Sequence, residues 1–240
     1  MNIIADMHTH TIASTHAYST LQEMAHAAAQ KGLYAMAVTD HGYAMPGAPG
    51  EWYFMNLKVL PRYIDGVLIL RGEETNVTDM DGGTDLVKKE YGSLEWVVAS
   101  MHDRPLANCK ISEEAVTHAW LSIARNPKVN VIGHSGSEQF KYDYEKVIPE
   151  FKRNGKLVEL NEGTFYCRRD SIPNCVKIML ICKKLRVPII VNSDAHFSSR
   201  VGDFKNSLNL LKEIDFPEEL VVNSSVVRLQ SYLRQRAIEF

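Results

Sequence analysis

The chain of 240 residues predicts an α/β fold in which parallel strands, joined by helical crossovers, close into a barrel. Three observations lead there. Apolar runs of strand length alternate with amphipathic segments of helix length, the pattern of successive βα units. The length is large for a sandwich and ordinary for an α/β barrel. An open doubly wound sheet fits those two facts equally well, and the third decides against it. Histidine, aspartate and glutamate gather at the C-terminal ends of six of the seven predicted strands. A closed barrel brings such ends around one mouth, whereas an open sheet spreads them along an edge.

The elements follow in order. The first strand spans Ile3–His8. Ser19 reads as an N-cap, with Gln22 at the capping-box position and Gly32 closing the helix. The second strand is Ala35–Thr39. A helix is expected over Phe54–Asp65, weakened by Pro61. The third strand is Val67–Glu73, and Met80-Asp81-Gly82-Gly83 signals a small hairpin after it. The fourth strand is Trp96–Ser100. Ser112, followed by Glu113 and Glu114, starts a helix that runs to Arg125. The fifth strand, Val129–Ile132, precedes a helix over Asp143–Asn154, and the sixth is Leu157–Leu160. Pro173 opens a helix to Lys184, and the seventh strand is Pro188–Val191. Helices over Phe204–Ile214 and Ser224–Ile238 complete the chain. With no linker, repeat or low-complexity run, residues 1–240 read as a single domain.

A net charge of −2 gives no electrostatic footprint for nucleic acid. No apolar stretch approaches the roughly 20 residues of a membrane span, and Met1–Asp6 lacks a basic leader. Cys109, Cys167, Cys175 and Cys182 form no C-x-x-C pair, so neither a disulfide framework nor a cysteine metal site is expected. These features read as cytoplasmic.

The strand ends carry the chemistry. The first offers Asp6, His8 and His10, with His16 six residues on. In an extended strand, residues two apart share a face, so His8 and His10 can close on one ion, and Asp6 is expected beside them. The second end offers Asp40 and His41, the third Glu73 and Glu74, the fourth His102, the fifth His134 and the seventh Asp194 and His196. The sixth, ending in Asn161 and Glu162, breaks the pattern. A lone histidine at a strand end is usually a hydrogen-bonded residue of no catalytic consequence. Six such ends together are not explained that way, and imidazole is the commonest ligand of zinc-like ions. His26 and His118 fall mid-helix, away from any strand end, and receive no role.

The stretches Asp6-Met7-His8-Thr9-His10, Val38-Thr39-Asp40-His41-Gly42, Arg71-Gly72-Glu73-Glu74, Ser100-Met101-His102, Ile132-Gly133-His134 and Asn192-Ser193-Asp194-Ala195-His196 together resemble the polymerase and histidinol phosphatase (PHP) family of metal-dependent hydrolases. The likeness covers essentially the whole chain. Ala13-Ser14-Thr15-His16-Ala17-Tyr18-Ser19-Thr20 and Leu70-Arg71-Gly72 are similar to its YcdX-like branch of phosphatases. Ser135 stands where that branch often has proline after the fifth-strand histidine. The resemblance implies a distorted, seven-stranded (β/α)7 TIM-like barrel and a centre of three divalent ions, usually zinc, with manganese or iron in relatives. It implies as ligands His8, His10, Glu74 and Asp194 for one ion, Glu74, His102 and His134 for a second, and His16, His41 and His196 for a third. Glu74 rather than Glu73 matches the family position. Relatives are trimers or monomers, so a homo-oligomer is a further expectation.

Seven neutral imidazoles and two carboxylates facing three divalent ions leave an excess of about +4 before any bound hydroxide. Such a site favours an anionic substrate, and a small phosphate ester fits better than a neutral amide. The expected enzyme is therefore a phosphoric monoester hydrolase using metal-activated hydroxide. Asp194, Asp6 and Asp40 are candidates for handling a proton. Arg168, Arg169 and Arg200 are candidates for holding phosphate, because the guanidinium fork matches its oxygens. The alternatives are an amidohydrolase-like enzyme, a nuclease or histidinol phosphatase of the same family, and a non-enzymatic metal-binding protein.

Overall fold

The computed structural model describes residues 1–86 and 94–240. In chain order the strands are β1 (Ala5–Thr9), β2 (Ala35–Val38), β3 (Tyr63–Ile64), β4 (Val67–Asn76), β5 (Trp96–Ser100), β6 (Val131–Ile132), β7 (Leu157–Asn161) and β8 (Ile189–Asn192). All but β3 run parallel, in the spatial order β1-β2-β4-β5-β6-β7-β8. The helices between and after them are α1 (Leu21–Gln30), α2 (Glu51–Asn56), α3 (Glu113–Arg125), α4 (Tyr144–Arg153), α5 (Thr164–Cys167), α6 (Ile172–Leu185), α7 (Lys205–Glu213) and α8 (Val226–Gln235).

This is a nearly closed α/β barrel, and its seam is held partly by side chains. Beyond β8 the chain pairs with β1 through one bridge, Thr9 to Ala195. Asp194 N–H donates to His8 O at 3.0 Å and His10 N–H to Ala195 O at 2.9 Å. Lower down, where β1 and β8 have no ladder, Asn192 Oδ1 accepts from Met7 N–H. Asn223 Nδ2 donates to Ala5 O and Val191 O, while its Oδ1 accepts from Val191 N–H. Two asparagines thus satisfy backbone groups that a regular strand pair would satisfy.

Strand alternation sorts the core into two layers. Inward residues Ala5, Met7, Leu68, Leu70, Trp96, Val98, Val131, Leu157 and Ile190 fill the barrel with Leu229, Tyr232 and Leu233 of α8. Tyr232 Oη donates toward Asn130 O and Gly155 O, just before β6 and β7, so α8 caps the N-terminal end. Outward residues such as Ile69, Val97, Ile132 and Val158 pack under the helices with Trp120, Ile123, Phe151 and Ile178. Followed upward, the inward positions change character: Leu68 and Leu70 give way to Glu74, and Leu157 to Glu159. The apolar floor ends where the site begins.

Most elements lie where the sequence places them, and three differ. The α1 cap is Thr20, with Glu23 completing the capping box, one residue beyond the expected Ser19 and Gln22. Ser19 instead accepts from Ser198 N–H and ties two mouth loops together. The helix expected over Phe54–Asp65 is only α2 and a 3-10 turn, Leu57–Val59. Beyond it, Asp65 and Gly66, both at positive φ, form the two-residue turn of the β3–β4 hairpin, a sequence signal of its own. The hairpin expected near Met80 is reduced to a bridge between Val77 and Thr84. Among the described residues, no helix is long and apolar enough to cross a membrane.

Candidate metal centre

A bulge in β1 sets the first candidate ligands. Asp6 pairs with Met36, but Thr9 rather than His8 pairs with Val38, so one residue is extra and the alternation reverses. Met7 points into the barrel, and His8 also turns inward, its Nε2 3.2 Å from Glu74 Oε1. Strict period two puts Asp6 on the face of His8, and the bulge overturns that expectation. Asp6 accepts from the backbone N–H groups of Ser193 at 3.0 Å and Gly202 at 2.8 Å, holding the loop that carries Asp194 and His196.

Glu74, fully buried at the top of β4, is the hub. Its Oε1 lies 3.0 Å from His134 Nε2 and 3.5 Å from His102 Nε2. Its Oε2 lies 3.5 Å from His10 Nε2 and 2.6 Å from His41 Nδ1. Asp194 Oδ1 sits 3.2 Å from His10 Nε2 and 3.6 Å from His8 Nε2. At the outer edge, His16 Nε2 is 3.0 Å from His196 Nε2 and 3.4 Å from His41 Nε2. Two ligand atoms about 2.0–2.1 Å from a tetrahedral ion are about 3.3 Å apart, so the cluster is spaced as ligand sets are. Three groups of donors lie within 4.8 Å of one another: His8, His10 and Asp194; His41, Glu74 and His102; and His10, His41 and His196.

The unpartnered atoms test the fit. Among the described residues, His8 Nε2, His10 Nε2, His41 Nδ1, Glu74 Oε2 and Asp194 Oδ1 are buried side-chain atoms with no hydrogen-bond partner outside the cluster, His41 Nδ1 and Glu74 Oε2 facing each other at 2.6 Å. A buried polar group left so costs about 1–3 kcal/mol, and five in one cluster are explained by cations they can ligate. The residues present therefore fit a metal centre.

The far nitrogens of these histidines are held. His8 Nδ1 is 2.8 Å from Glu159 Oε1, and that carboxylate also accepts from Asn192, Asn161 and the N–H of His134. His10 Nδ1 is 3.1 Å from Ser14 Oγ, which donates to Asp40. Asp40 further accepts from Thr11 and Tyr53. His102 Nδ1 is 2.8 Å from Asn76 Oδ1, and Asn76 in turn bonds Asp85. Such partners fix the tautomer and ring orientation of a ligating histidine. Two donors stand on unusual backbone: His134 at φ 23° and Asp194 at φ 57°, a left-handed conformation that costs a non-glycine residue about 1–2 kcal/mol. Gly133, before His134, has room for no Cβ, which would strike Ser100 and Val98.

The charges suit cations. Burial works against ionising Glu74 and Asp194, but His8 and the other imidazoles overcome it and hold both carboxyls well below the usual range. Burial also opposes charge on His8, yet Glu159, Glu74 and Asp194 raise it well above an ordinary imidazole. Burial, then His196 and His41, press His10 well below its usual value. The pocket thus demands positive charge, while burial makes His10, His16 and His102 resist supplying it.

Beside the cluster opens a cleft of about 480 Å³, walled by His16, Asp194, His196, Arg168 and Arg200 with Tyr18, Tyr166 and Phe197. Arg168 Nη2 donates to Asp194 Oδ2 at 2.9 Å and to Asn161. Arg200 lies over the Tyr166 ring, 4.3 Å from its centroid, and pairs with Asp203. Arg169 is exposed, bonds the Phe165 carbonyl and lies outside the residues that wall the cleft. Asp6 and Asp40 position loops and ligands, with their oxygens taken by other donors. Glu159 was not anticipated; its signal was a charge two residues after the inward Leu157. Asp85 and Ser14 gave none.

A family model described as PHP domain matches residues 6–163. The chain belongs to the PHP family. It is 44% identical over 236 residues to a "Probable phosphatase" of Acetivibrio thermocellus, covering 98% of this chain and 97% of that one. It is 42% identical over 240 residues to a "Probable phosphatase" of a Thermoanaerobacter species, covering 98% and 96%. Among solved structures, histidinol phosphate phosphatase from Lactococcus lactis, complexed with zinc, L-histidinol and phosphate, superposes with TM-score 0.56 at 12% identity, covering 100% and 95%. A chain of an archaeal ribonuclease P bound to mature tRNA gives TM-score 0.62 at 12% identity, covering 96% and 90%. One barrel fold therefore occurs in different molecules, and the site must decide the function.

Proposed function

We propose that this PHP protein is a metal-dependent phosphatase that hydrolyses a small phosphate monoester at a centre of three divalent ions, zinc foremost, with manganese or iron as substitutes. The observation that carries the reading is the set of unpartnered buried donors around Glu74, opening on a cleft walled by two guanidinium groups. The ligand sets are His8, His10, Glu74 and Asp194; Glu74, His102 and His134; and His16, His41 and His196. Relatives named as phosphatases support the reaction class.

When bound, such ions supply an activated water and neutralise phosphate oxygens. The chain's own residues do the rest. Arg168 grips Asp194 through Nη2, while its buried Nε has no partner among the described residues. It is placed to join a phosphate oxygen to the ligand shell. Arg200 waits farther out on the rim. Asp194, held ionised, serves as a ligand rather than a proton donor. The aromatic walls of Tyr18, Tyr166 and Phe197 exclude water from a bound ester.

The test is a phosphate-release screen of the metal-loaded protein on sugar phosphates, nucleotides, histidinol phosphate and short DNA, with amides in parallel. Release from one class of small monoester is expected. Silence on every phosphate ester, with turnover of an amide, overturns the reading.

A further inference from the structure

We infer that the three metal positions are unequal: two hold their ions tightly, and the position made by His16, His41 and His196 is exchangeable, so that free metal sets how full the cleft wall is. The inference rests on the three-ion reading above and concerns what these residues do with the metal.

Charge is the first ground. The position of His8, His10, Glu74 and Asp194 has two carboxylates among its donors, and a third, Glu159, stands 2.8 Å behind His8. The position of His102 and His134 shares Glu74. The outer position has imidazoles alone as its donors; the carboxylates nearest to it, Glu74 at 2.6 Å from His41 Nδ1 and Asp194 at 3.7 Å from His196 Nδ1, already serve the inner positions. A divalent ion there is not neutralised by its own ligands and is repelled by two others close by.

Enclosure is the second. His8, His10 and Glu74 have no exposed surface, and the side chains of His134 and His102 are 4% and 16% exposed; the outer set has one buried member, His41, at 4%. The His196 side chain is 27% exposed and His16 lies open at the cleft wall. Water and chelators reach this position first.

Preorganisation is the third. Glu159, Ser14 with Asp40, and Asn76 with Asp85 orient His8, His10 and His102. Of the outer three, His41 is held through Nδ1 by Glu74 at 2.6 Å, but among the described residues no side chain outside the cluster hydrogen-bonds His16, and His196 Nδ1 has the backbone carbonyl of Asp194 at 2.9 Å with the Asp194 carboxylate at 3.7 Å. Loss of such support weakens metal binding by about 10–100-fold, so the outer ion should bind at least about tenfold more weakly than the other two.

Because His16 and His196 wall the cleft, and Asp194 is the one inner ligand that reaches it, the outer ion has two of its ligands beside the substrate. Occupancy of the outer position would then tune activity without threatening the fold.

The experiment is native mass spectrometry of the zinc-loaded protein during a graded chelator titration, repeated with His16→Ala and Glu74→Ala, with circular dichroism as a check on folding. The wild type should pass through a populated two-ion species before losing the rest. The His16→Ala protein should start at two ions and release them at the chelator concentration where the wild type releases its last two. Glu74→Ala should lose more than one ion. Simultaneous departure of all three ions from the wild type overturns the inference. So does a folded His16→Ala protein that retains three ions or releases its remaining two early. Ion counts do not depend on turnover, so a protein inactive on every phosphate ester would sink the phosphatase reading and leave this result to stand or fall separately.

Discussion

His8 presents one nitrogen to Glu74 and Asp194 and the other to Glu159. Its ring is fixed from both sides, and so is the direction in which its free lone pair points. Replacing Glu159 with Gln keeps the shape and removes the charge behind the ring. Metal affinity should fall by about 10–100-fold, read as an earlier loss of zinc to a competing chelator, while circular dichroism stays unchanged. Equal zinc retention in the variant would contradict the role. Ligating imidazoles must be neutral, so acid competes with metal. Zinc should leave as pH falls below about 6, near the ordinary imidazole value; retention down to about pH 4 would contradict a histidine-rich centre. The ligand types were legible in sequence because they cluster at strand ends. The supporting residues were not. Glu159 sat on a strand whose end looked empty, and Asp85 and Ser14 reach the site through loops that have no period. Asp6 was misplaced because one bulged residue reverses the faces of a strand, and nothing in the local composition announces a bulge.

At the scale of elements, strand existence followed from apolar runs, and β5 and the cap of α3 by Ser112 match the sequence reading. What the sequence hid was the seam. β1 and β8 lie almost 190 residues apart in the chain, and the closure depends on asparagine side chains that resemble turn residues in a list of letters. Asn223→Ala leaves two carbonyls and one N–H without their partner. A loss of about 3 kcal/mol in unfolding free energy is expected, measured by urea denaturation. A change below about 0.5 kcal/mol would mean that water or the backbone closes the seam instead. The α2 region failed for a different reason: Pro61 and Asp65-Gly66 are strong local signals that a helical period should not have overridden.

The inward face of the barrel is apolar below and polar at the C-terminal mouth, which separates stability from the candidate site. Lys156, at the N-terminal end, donates its ammonium to the carbonyls of Asn126 and Val129, and burial, with help from Arg236, lowers its pKa to about 8 from 10.5. Between those values the unfolded chain holds the proton that the folded one has released, so unfolding free energy should rise with pH from about 8 to about 10.5. Measured against Lys156→Met, this rise should appear in the wild type alone; parallel curves would contradict it. Activity at the opposite end should be unaffected by that substitution. The proposed function requires that the clustered donors hold metal for phosphate-ester hydrolysis. Phosphate release by the purified protein decides it, measured before chelation, after it, and after zinc or manganese is restored. Release should fall to background on chelation and return with metal. Release that persists unchanged in the metal-free protein would contradict it.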